Sequence, residues 1–267
     1  MEPSFHHNSN NPSPAIPIAI IAGFAMIAIA IFFTNRGAAP TPTPMDTASD
    51  TAAEEAPRPV DESDYIRGNP NAPILMVEYS DYDCPFCKQF HNTMIQIMDE
   101  YGVTGRVAWV YRQFPIPQLH PNSPKISEAA LCVGDLGGNE AFWEFSDLIY
   151  ESRDINEPTN VTKLPEYAEQ VGVTRAAYTD CMDSGRMASV VTASMEDGYN
   201  AGARGTPYTI LMVGNQQAVI SGAQPYDTVK GIIANLIAQL DGNVDPTDTS
   251  IDTSAVPRNA QGMPIFE

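Results

Sequence analysis

The stretch YSDYDCPFCKQFH, residues 79–91, places Cys84 and Cys87 three positions apart, where an apolar run gives way to a helical pattern. Residues 73–80 are mostly apolar and rich in strand formers, which is typical of a strand covered on both faces. Residues 84–101 repeat apolar side chains every three or four positions and predict an amphipathic helix. The cysteine pair is therefore predicted at the start of a helix that follows a buried strand.

The flanking patterns extend this unit into a mixed sheet. Residues 106–114 return to strand composition, which completes a strand–helix–strand unit. Helical patterns fill residues 123–202, whereas residues 207–213 and 216–222 predict a hairpin and residues 226–240 a closing helix. We therefore predict an α/β fold, a small mixed sheet with flanking helices and a helical insertion.

Composition excludes one large class of partners. The chain has 267 residues, of which 43% are hydrophobic, enough for one core with appendages. Its formal net charge is −19, with only 14 Lys and Arg residues. Binding to phosphates needs clustered positive charge, so no nucleic-acid partner is expected.

The N-terminal region predicts a membrane anchor. Residues 16–33 carry no charge, and as a helix they would reach about 27 Å, close to the hydrocarbon thickness of a bilayer. We predict a short segment at residues 1–15 and a transmembrane helix in contact with membrane lipid at residues 16–34. A cleaved signal peptide is the alternative, but residues 1–15 lack the Lys or Arg that such peptides carry.

Low-complexity segments delimit the domain. Residues 35–60 are rich in Pro, Thr, Ala and acids and predict a disordered linker, and residues 241–267 predict a disordered acidic tail. The globular domain is expected at residues 61–240. Arg36 follows the anchor, and by the positive-inside rule it alone would favour a cytoplasmic domain. One charge is a small bias, however, and large acidic domains are translocated largely regardless of charge. We expect a single-pass protein of the cell membrane whose domain lies on the extracytoplasmic side.

The spacing of Cys84 and Cys87 favours redox chemistry. Unpaired N–H groups at a helix start stabilise a thiolate on the first cysteine, and Pro85 suits the first helical turn because its missing N–H is not needed there. We assign Cys84 as the nucleophile and Cys87 as the resolving thiol. A zinc site would need about four ligands, which the isolated Cys132 and Cys181 do not supply as a second pair, and a purely structural Cys84–Cys87 bridge would stabilise little.

The chain resembles the DsbA-like thiol:disulfide oxidoreductases of the thioredoxin superfamily. The resemblance rests on VEYSDYDCPFC, YRQFP, the helical insertion and GTPYTILMVG, and it covers roughly residues 65–240. It implies a thioredoxin-like fold and protein-disulfide oxidoreductase activity, without a cofactor or metal. It also implies that Thr206 and Pro207 form a cis-proline turn that faces the dithiol and leaves backbone groups free for a substrate chain. The alternative is an ordinary trans proline that opens a strand.

Two further inferences concern the surroundings of the dithiol. The resemblance places Glu78 as a buried acid beneath the cysteines, where a raised pKa would allow proton exchange with Cys87. A solvent-facing or structurally paired Glu78 is the alternative. Phe86 departs from the strongest oxidants of the family, which have histidine there, and it cannot donate a hydrogen bond to the thiolate. The sequence therefore does not determine how strong an oxidant the Cys84–Cys87 disulfide is.

The remaining cysteines and histidines have no predicted role in turnover. Cys132 and Cys181 are expected to form a structural disulfide outside the membrane, although buried free cysteines are common in protein cores. His91 is expected to lie partly exposed on the surface. His120 and the two N-terminal histidines receive no role.

The sequence thus predicts a membrane-tethered enzyme that exchanges disulfides with the thiols of exported or cell-surface proteins. As an oxidase it would need a membrane redox partner for reoxidation. A reductase or isomerase of the same fold is one alternative. A dithiol module for delivering copper(I) is another, but Met94 and Met98 are explained by the helix core.

Overall fold

The computed structural model describes residues 56–242 and 265–266. The predicted anchor at residues 16–34 lies outside the described residues, as do most of the predicted linker and tail. Among the described residues, no helix has both the length and the apolar character needed to cross a bilayer.

A six-stranded mixed sheet forms the centre of the domain, in the order β1-β3-β2-β4-β5-β6. β2 and β3 run parallel, and β4 pairs antiparallel with β2 on one side and with β5 on the other. β1 pairs antiparallel with β3, and the two-residue β6 runs parallel to β5. The strands are β1 (Tyr65–Gly68), β2 (Ile74–Ser80), β3 (Val107–Gln113), β4 (Tyr208–Val213), β5 (Gln216–Ser221) and β6 (Ile265–Phe266).

In the described part of the chain, six α-helices surround this sheet. The one that begins at the cysteine pair continues into a short π-helical turn, Met98–Gly102. The longest is interrupted at Gly138, whose φ of 80° is a left-handed conformation that glycine adopts without a steric penalty. The helices are α1 (Pro85–Ile97), α2 (Ser123–Glu151), α3 (Leu164–Gln170), α4 (Arg175–Ser184), α5 (Ala188–Asn200) and α6 (Tyr226–Leu240).

The two faces of the sheet are covered by different helices. Side chains of α1, α2 and α6 pack with Ile74, Met76 and Trp109 on one face. Val77 and Ile210 point to the opposite face, where they pack with residues that follow α5. Because β2 and β3 are buried on both faces, their sequences show a nearly continuous apolar run instead of strict alternation.

The predicted α/β architecture is confirmed. The predicted strands near residues 73–80 and 106–114, the hairpin and the closing helix all occur within one or two residues of their expected bounds. The hydrophobic pattern of the sequence does not reveal β1 or β6. Both are short edge strands of four and two residues, too short to show a hydrophobic period.

Candidate dithiol site

Cys84 lies at the point where the chain turns from the end of β2 into α1. It occupies the N-cap position with extended backbone angles, and Pro85 is the first helical residue. Its backbone N–H donates to the Asp81 carbonyl at 3.1 Å, and its carbonyl accepts from Lys88 N–H at 3.2 Å. These contacts fix the thiol at the positive end of the helix, where a thiolate is stabilised.

The two cysteines are free thiols with opposite electrostatic surroundings. A hydrogen bond from the Cys87 side chain, together with contacts to Thr206 and to backbone N–H groups, lowers the pKa of Cys84 to about 6. Burial raises the pKa of Cys87 well above its ordinary value, and its proximity to Cys84 and Glu78 adds to this increase. The arrangement therefore favours a thiolate at Cys84 and a protonated thiol at Cys87.

Glu78 is buried on the sheet face that α1 covers. Because side chains alternate along a strand, Glu78 shares this face with Ile74 and Met76. Its Oε2 accepts a hydrogen bond from Trp109 Nε1 at 2.8 Å, and its Oε1 has no hydrogen-bond partner among the described residues. Burial raises the pKa of Glu78 to about 7, a value suited to exchanging a proton near neutral pH.

The loop before β4 reaches the dithiol from a distant part of the sequence. The Thr206–Pro207 peptide bond is cis, and the Thr206 carbonyl accepts a hydrogen bond from the Cys84 thiol at 3.4 Å. The Pro207 carbonyl is not free for a substrate chain, since it accepts from Gly222 N–H at 3.0 Å. The expectation that this turn leaves its backbone groups unpaired is therefore wrong for Pro207.

Comparison with known proteins now assigns the chain to a family. Residues 61–235 match the sequence model of a thioredoxin family. This chain belongs to the thioredoxin family. A solved structure, alpha-DsbA1 of Wolbachia pipientis, has a similar fold at 19% sequence identity, with a TM-score of 0.57 over 70% of this chain and 96% of that one. The expected membership of the thioredoxin superfamily is confirmed.

Two curated proteins match shorter stretches of this thioredoxin-family chain. A putative protein-disulfide oxidoreductase of Rickettsia bellii is 28% identical over 138 residues, which cover 51% of each protein. The Na(+)/H(+) antiporter NhaA 3 of Salinispora tropica is 32% identical over 141 residues, which cover 51% of this chain and 20% of that protein. The matched stretch thus spans a fifth of the antiporter and half of the oxidoreductase.

Arg153 is a residue of the site that the sequence analysis missed. It follows α2, and its side chain is buried beneath the turn that carries Cys84. Its Nη2 donates to the Tyr82 and Cys84 carbonyls at 2.8 and 2.9 Å, and its Nη1 donates to three carbonyls of the next loop. One guanidinium therefore joins the dithiol turn to the loop that follows α2 within the helical insertion. No local sequence pattern signals this contact, because it joins residues 69 positions apart.

Asp81 is a second such residue, and here the sequence did offer a signal. An acid at the end of an apolar strand, three residues before the motif, resembles the turn-forming acids that bind nearby backbone groups. Asp81 is fully buried, and its Oδ1 accepts from Asp83 N–H at 2.8 Å. Its backbone N–H lies 3.5 Å from Cys87 Sγ. Asp81 thus contacts the turn of both cysteines.

The prediction for His91 is wrong. His91 is 3% exposed, and its Nε2 bonds to Asp147 Oδ1 at 2.8 Å. The imidazole also packs at a tilt against Trp109 and Tyr150, with ring centroids 5.1 and 4.4 Å away. Burial lowers the pKa of His91, although Asp147 acts in the opposite direction. The histidine is buried because α1 turns the face that carries it and Cys87 toward α2.

Cys132 and Cys181 form a disulfide with a Cα–Cα distance of 5.9 Å. The bond joins α2 to α4 within the helical insertion and packs with Met187 and Val191. No group of three or more His, Cys, Asp or Glu side chains suited to a metal ion occurs in the described part of the chain.

Proposed function

We propose that this chain is a membrane-tethered thiol:disulfide oxidoreductase that acts mainly as an oxidase of exported or cell-surface proteins. The observation that carries the proposal is the position of Cys84 at the N-cap of α1 beside the fully buried Cys87, which lowers the pKa of the Cys84 thiol and raises that of Cys87. A stabilised thiolate favours the reduced dithiol, so the corresponding disulfide is a good oxidant. The proposed role is thus to accept electrons from substrate thiols.

The proposed reaction uses the two cysteines in turn. A substrate thiolate attacks the Cys84–Cys87 disulfide at Cys84 Sγ, forms a mixed disulfide and releases Cys87 as a thiolate, which takes up a proton. A second substrate thiolate then attacks the substrate sulfur, and Cys84 leaves as the stabilised thiolate. The substrate dithiol is oxidised to a disulfide, and the protein is reduced by two electrons.

Glu78 is proposed as the group that exchanges the proton with Cys87. It is buried on the sheet face that α1 and Cys87 cover, and its pKa of about 7 lets it give up or accept a proton near neutral pH. Thr206 and Pro207 are proposed to position the substrate next to Cys84, because the Thr206 carbonyl already contacts its thiol.

The reduction potential tests the direction of electron flow. Equilibration with glutathione should give a value near the ~−120 mV of a strong oxidant. A value near the ~−270 mV of thioredoxin would contradict an oxidase and favour a reductase or isomerase. Phe86, whose side chain is 58% exposed and has no hydrogen-bond donor, is one reason to make this measurement first.

The proposed location needs its own experiment. The Cys132–Cys181 disulfide supports an oxidising compartment, where such bonds persist. The full chain should remain in the membrane pellet after an alkaline wash, and a variant that lacks residues 16–34 should appear in the soluble fraction. Protease added outside intact cells or spheroplasts should digest the domain, and protection of the domain would place it in the cytoplasm. A membrane redox partner is proposed to reoxidise Cys84 and Cys87.

A further inference from the structure

His120 is held by Asp81, a buried carboxylate of the turn that leads to the dithiol. Its Nδ1 lies 2.9 Å from Asp81 Oδ2, and that oxygen also accepts from Ile116 N–H at 2.8 Å. Because a carboxylate only accepts hydrogen bonds, Nδ1 is the protonated nitrogen of the neutral ring. The other nitrogen, Nε2, is then an unprotonated acceptor.

The residue that orients His120 also contacts both redox cysteines. The backbone N–H of Asp81 lies 3.5 Å from Cys87 Sγ, and its carbonyl accepts from Cys84 N–H at 3.1 Å. The imidazole is therefore fixed to the same rigid turn as the dithiol. A carboxylate that sets the tautomer and orientation of a histidine is an arrangement that supports general-base catalysis.

A cleft of about 440 Å³ gives a substrate access to this histidine. Its walls include His120, Pro85 and Leu119, so the cleft begins at the residue that follows Cys84. The His120 side chain is 17% exposed. The charged groups around the ring are Asp81, with Asp83 and Glu157 in the cleft wall, so the cleft favours neutral or positively charged groups over anions.

We propose that His120 is a catalytic base for the incoming substrate thiol. This proposal rests on the proposed function and identifies the group that activates the substrate. Nε2 removes the proton from the substrate S–H, and the resulting thiolate attacks Cys84 Sγ. The new bond between the substrate sulfur and Cys84 Sγ forms as the Cys84–Cys87 bond breaks. The electron pair of the broken bond passes to Cys87 Sγ. The imidazolium then returns its proton to solvent, so atoms and charges balance.

The rate acceleration by His120 depends on how far the substrate thiol is already ionised. A free cysteine thiol has a pKa near 8.5, so only a few per cent is thiolate at about pH 7. A base in the cleft can therefore accelerate the reaction by about tenfold at this pH. At about pH 9.5 the substrate is already mostly ionised, and the base adds little.

The test uses His120→Asn in the full chain. The asparagine amide can still donate to Asp81, but it cannot accept a proton. The rate constant for reduction of the Cys84–Cys87 disulfide by an unstructured cysteine peptide is measured at both pH values. The ratio of wild-type to variant rates should be about ten at about pH 7 and near one at about pH 9.5. Gln118→Ala, at an exposed neighbouring position, serves as the matched control with a ratio near one at both.

Two results would overturn the proposal. A ratio that stays the same at both pH values, or that is near one throughout, means that His120 does not take the substrate proton. A changed alkylation rate of the reduced Cys84 thiol would show that the histidine acts through the dithiol, as a positioning residue only. His120→Gln repeats the measurement if His120→Asn does not fold. Failure of the proposed function itself is distinct, because the wild-type disulfide would then not react with the peptide.

Discussion

The Cys84 thiol donates a hydrogen bond to the Thr206 carbonyl oxygen, 3.4 Å away, although 122 residues separate the two in sequence. This contact brings the loop before β4 against the N-terminus of α1. The Thr206 side chain, which this contact brings to the thiol, contributes to the lowered pKa of Cys84, after the larger effect of the hydrogen bond from Cys87. The reactivity of the nucleophile is thus set by two segments that only the fold brings together.

The first prediction concerns the Cys84 thiolate. In the reduced protein, its rate of alkylation by iodoacetamide should rise with pH and show an inflection near pH 6, because this is its lowered pKa. Cys87→Ala removes the largest cause of the shift and should move the inflection toward the ordinary thiol value. An inflection at the ordinary value of about 8.5 in the wild-type protein would contradict the predicted stabilisation.

The second prediction concerns the buried carboxyl of Glu78. Its pKa rises from 4.5 in the unfolded chain to about 7 in the fold, so the folded state binds the proton more tightly. The resulting stability is fully present below about pH 4.5 and is lost as pH rises to about 7. Gln at position 78 does not titrate. As pH rises from about 4.5 to about 7, the free energy of unfolding of Glu78→Gln should therefore increase by up to about 3 kcal/mol relative to that of the wild type.

Urea unfolding of the oxidised protein measures this change without interference from the thiols. The difference in free energy of unfolding between Glu78→Gln and wild type is compared at about pH 4 and about pH 8, so any fixed cost of the buried amide cancels. Glu166→Gln, at an exposed position, should show no such gain. A pH-independent difference for Glu78→Gln would show that the carboxyl titrates normally.

The third prediction concerns the Cys132–Cys181 disulfide. Its closed loop of 49 residues would stabilise the fold by about 4 kcal/mol in the chain-entropy description, which is an upper estimate. The double serine variant should therefore melt at a lower temperature, as measured by circular dichroism. It should keep the reactivity of Cys84, because the bond lies between α2 and α4, away from the dithiol. If the variant lost the reactivity of Cys84 as well as thermal stability, the Cys132–Cys181 bond would have a role in the dithiol site.

The fourth prediction concerns Arg153. Arg153→Met removes a buried charge that donates to five backbone carbonyls, of which those of Cys84 and Asp154 would keep a backbone N–H donor. Hydrogen bonds to charged groups contribute about 1.5 to 3 kcal/mol each in general, so we expect a loss of at least about 2 kcal/mol in the free energy of unfolding. The alkylation rate of Cys84 should change too, because its carbonyl is one of the acceptors.

Arg175→Met provides the matched control for that variant. Arg175 pairs with Glu169 on the surface, where both side chains are about half exposed. Exposed ion pairs contribute about 0 to 1 kcal/mol, so this variant should unfold nearly as the wild type does. A similar small effect for Arg153→Met would mean that the dithiol turn does not depend on the guanidinium.

The local features of the site could be predicted from the sequence because they have local causes. The apolar run before Cys84, the helical spacing after it and Pro85 together predict where β2 ends and α1 begins. The alternation of side chains along a strand also places Glu78 on one definite face of β2. Each of these relations spans only a few residues and can be seen without knowledge of the fold.

The tertiary structure decided what surrounds the dithiol. The contacts of Arg153 with the Cys84 carbonyl, of Asp147 with His91 and of His120 with Asp81 join residues 69, 56 and 39 positions apart. Periodic patterns describe neighbours within one or two turns of a helix or along one strand, so they carry no information about such pairs. For this reason the sequence predicts His91 on the surface and offers no role for His120. Only the packing of α2 against α1 made His91 a buried partner of Asp147, and only the fold brought His120 to Asp81 at the end of β2.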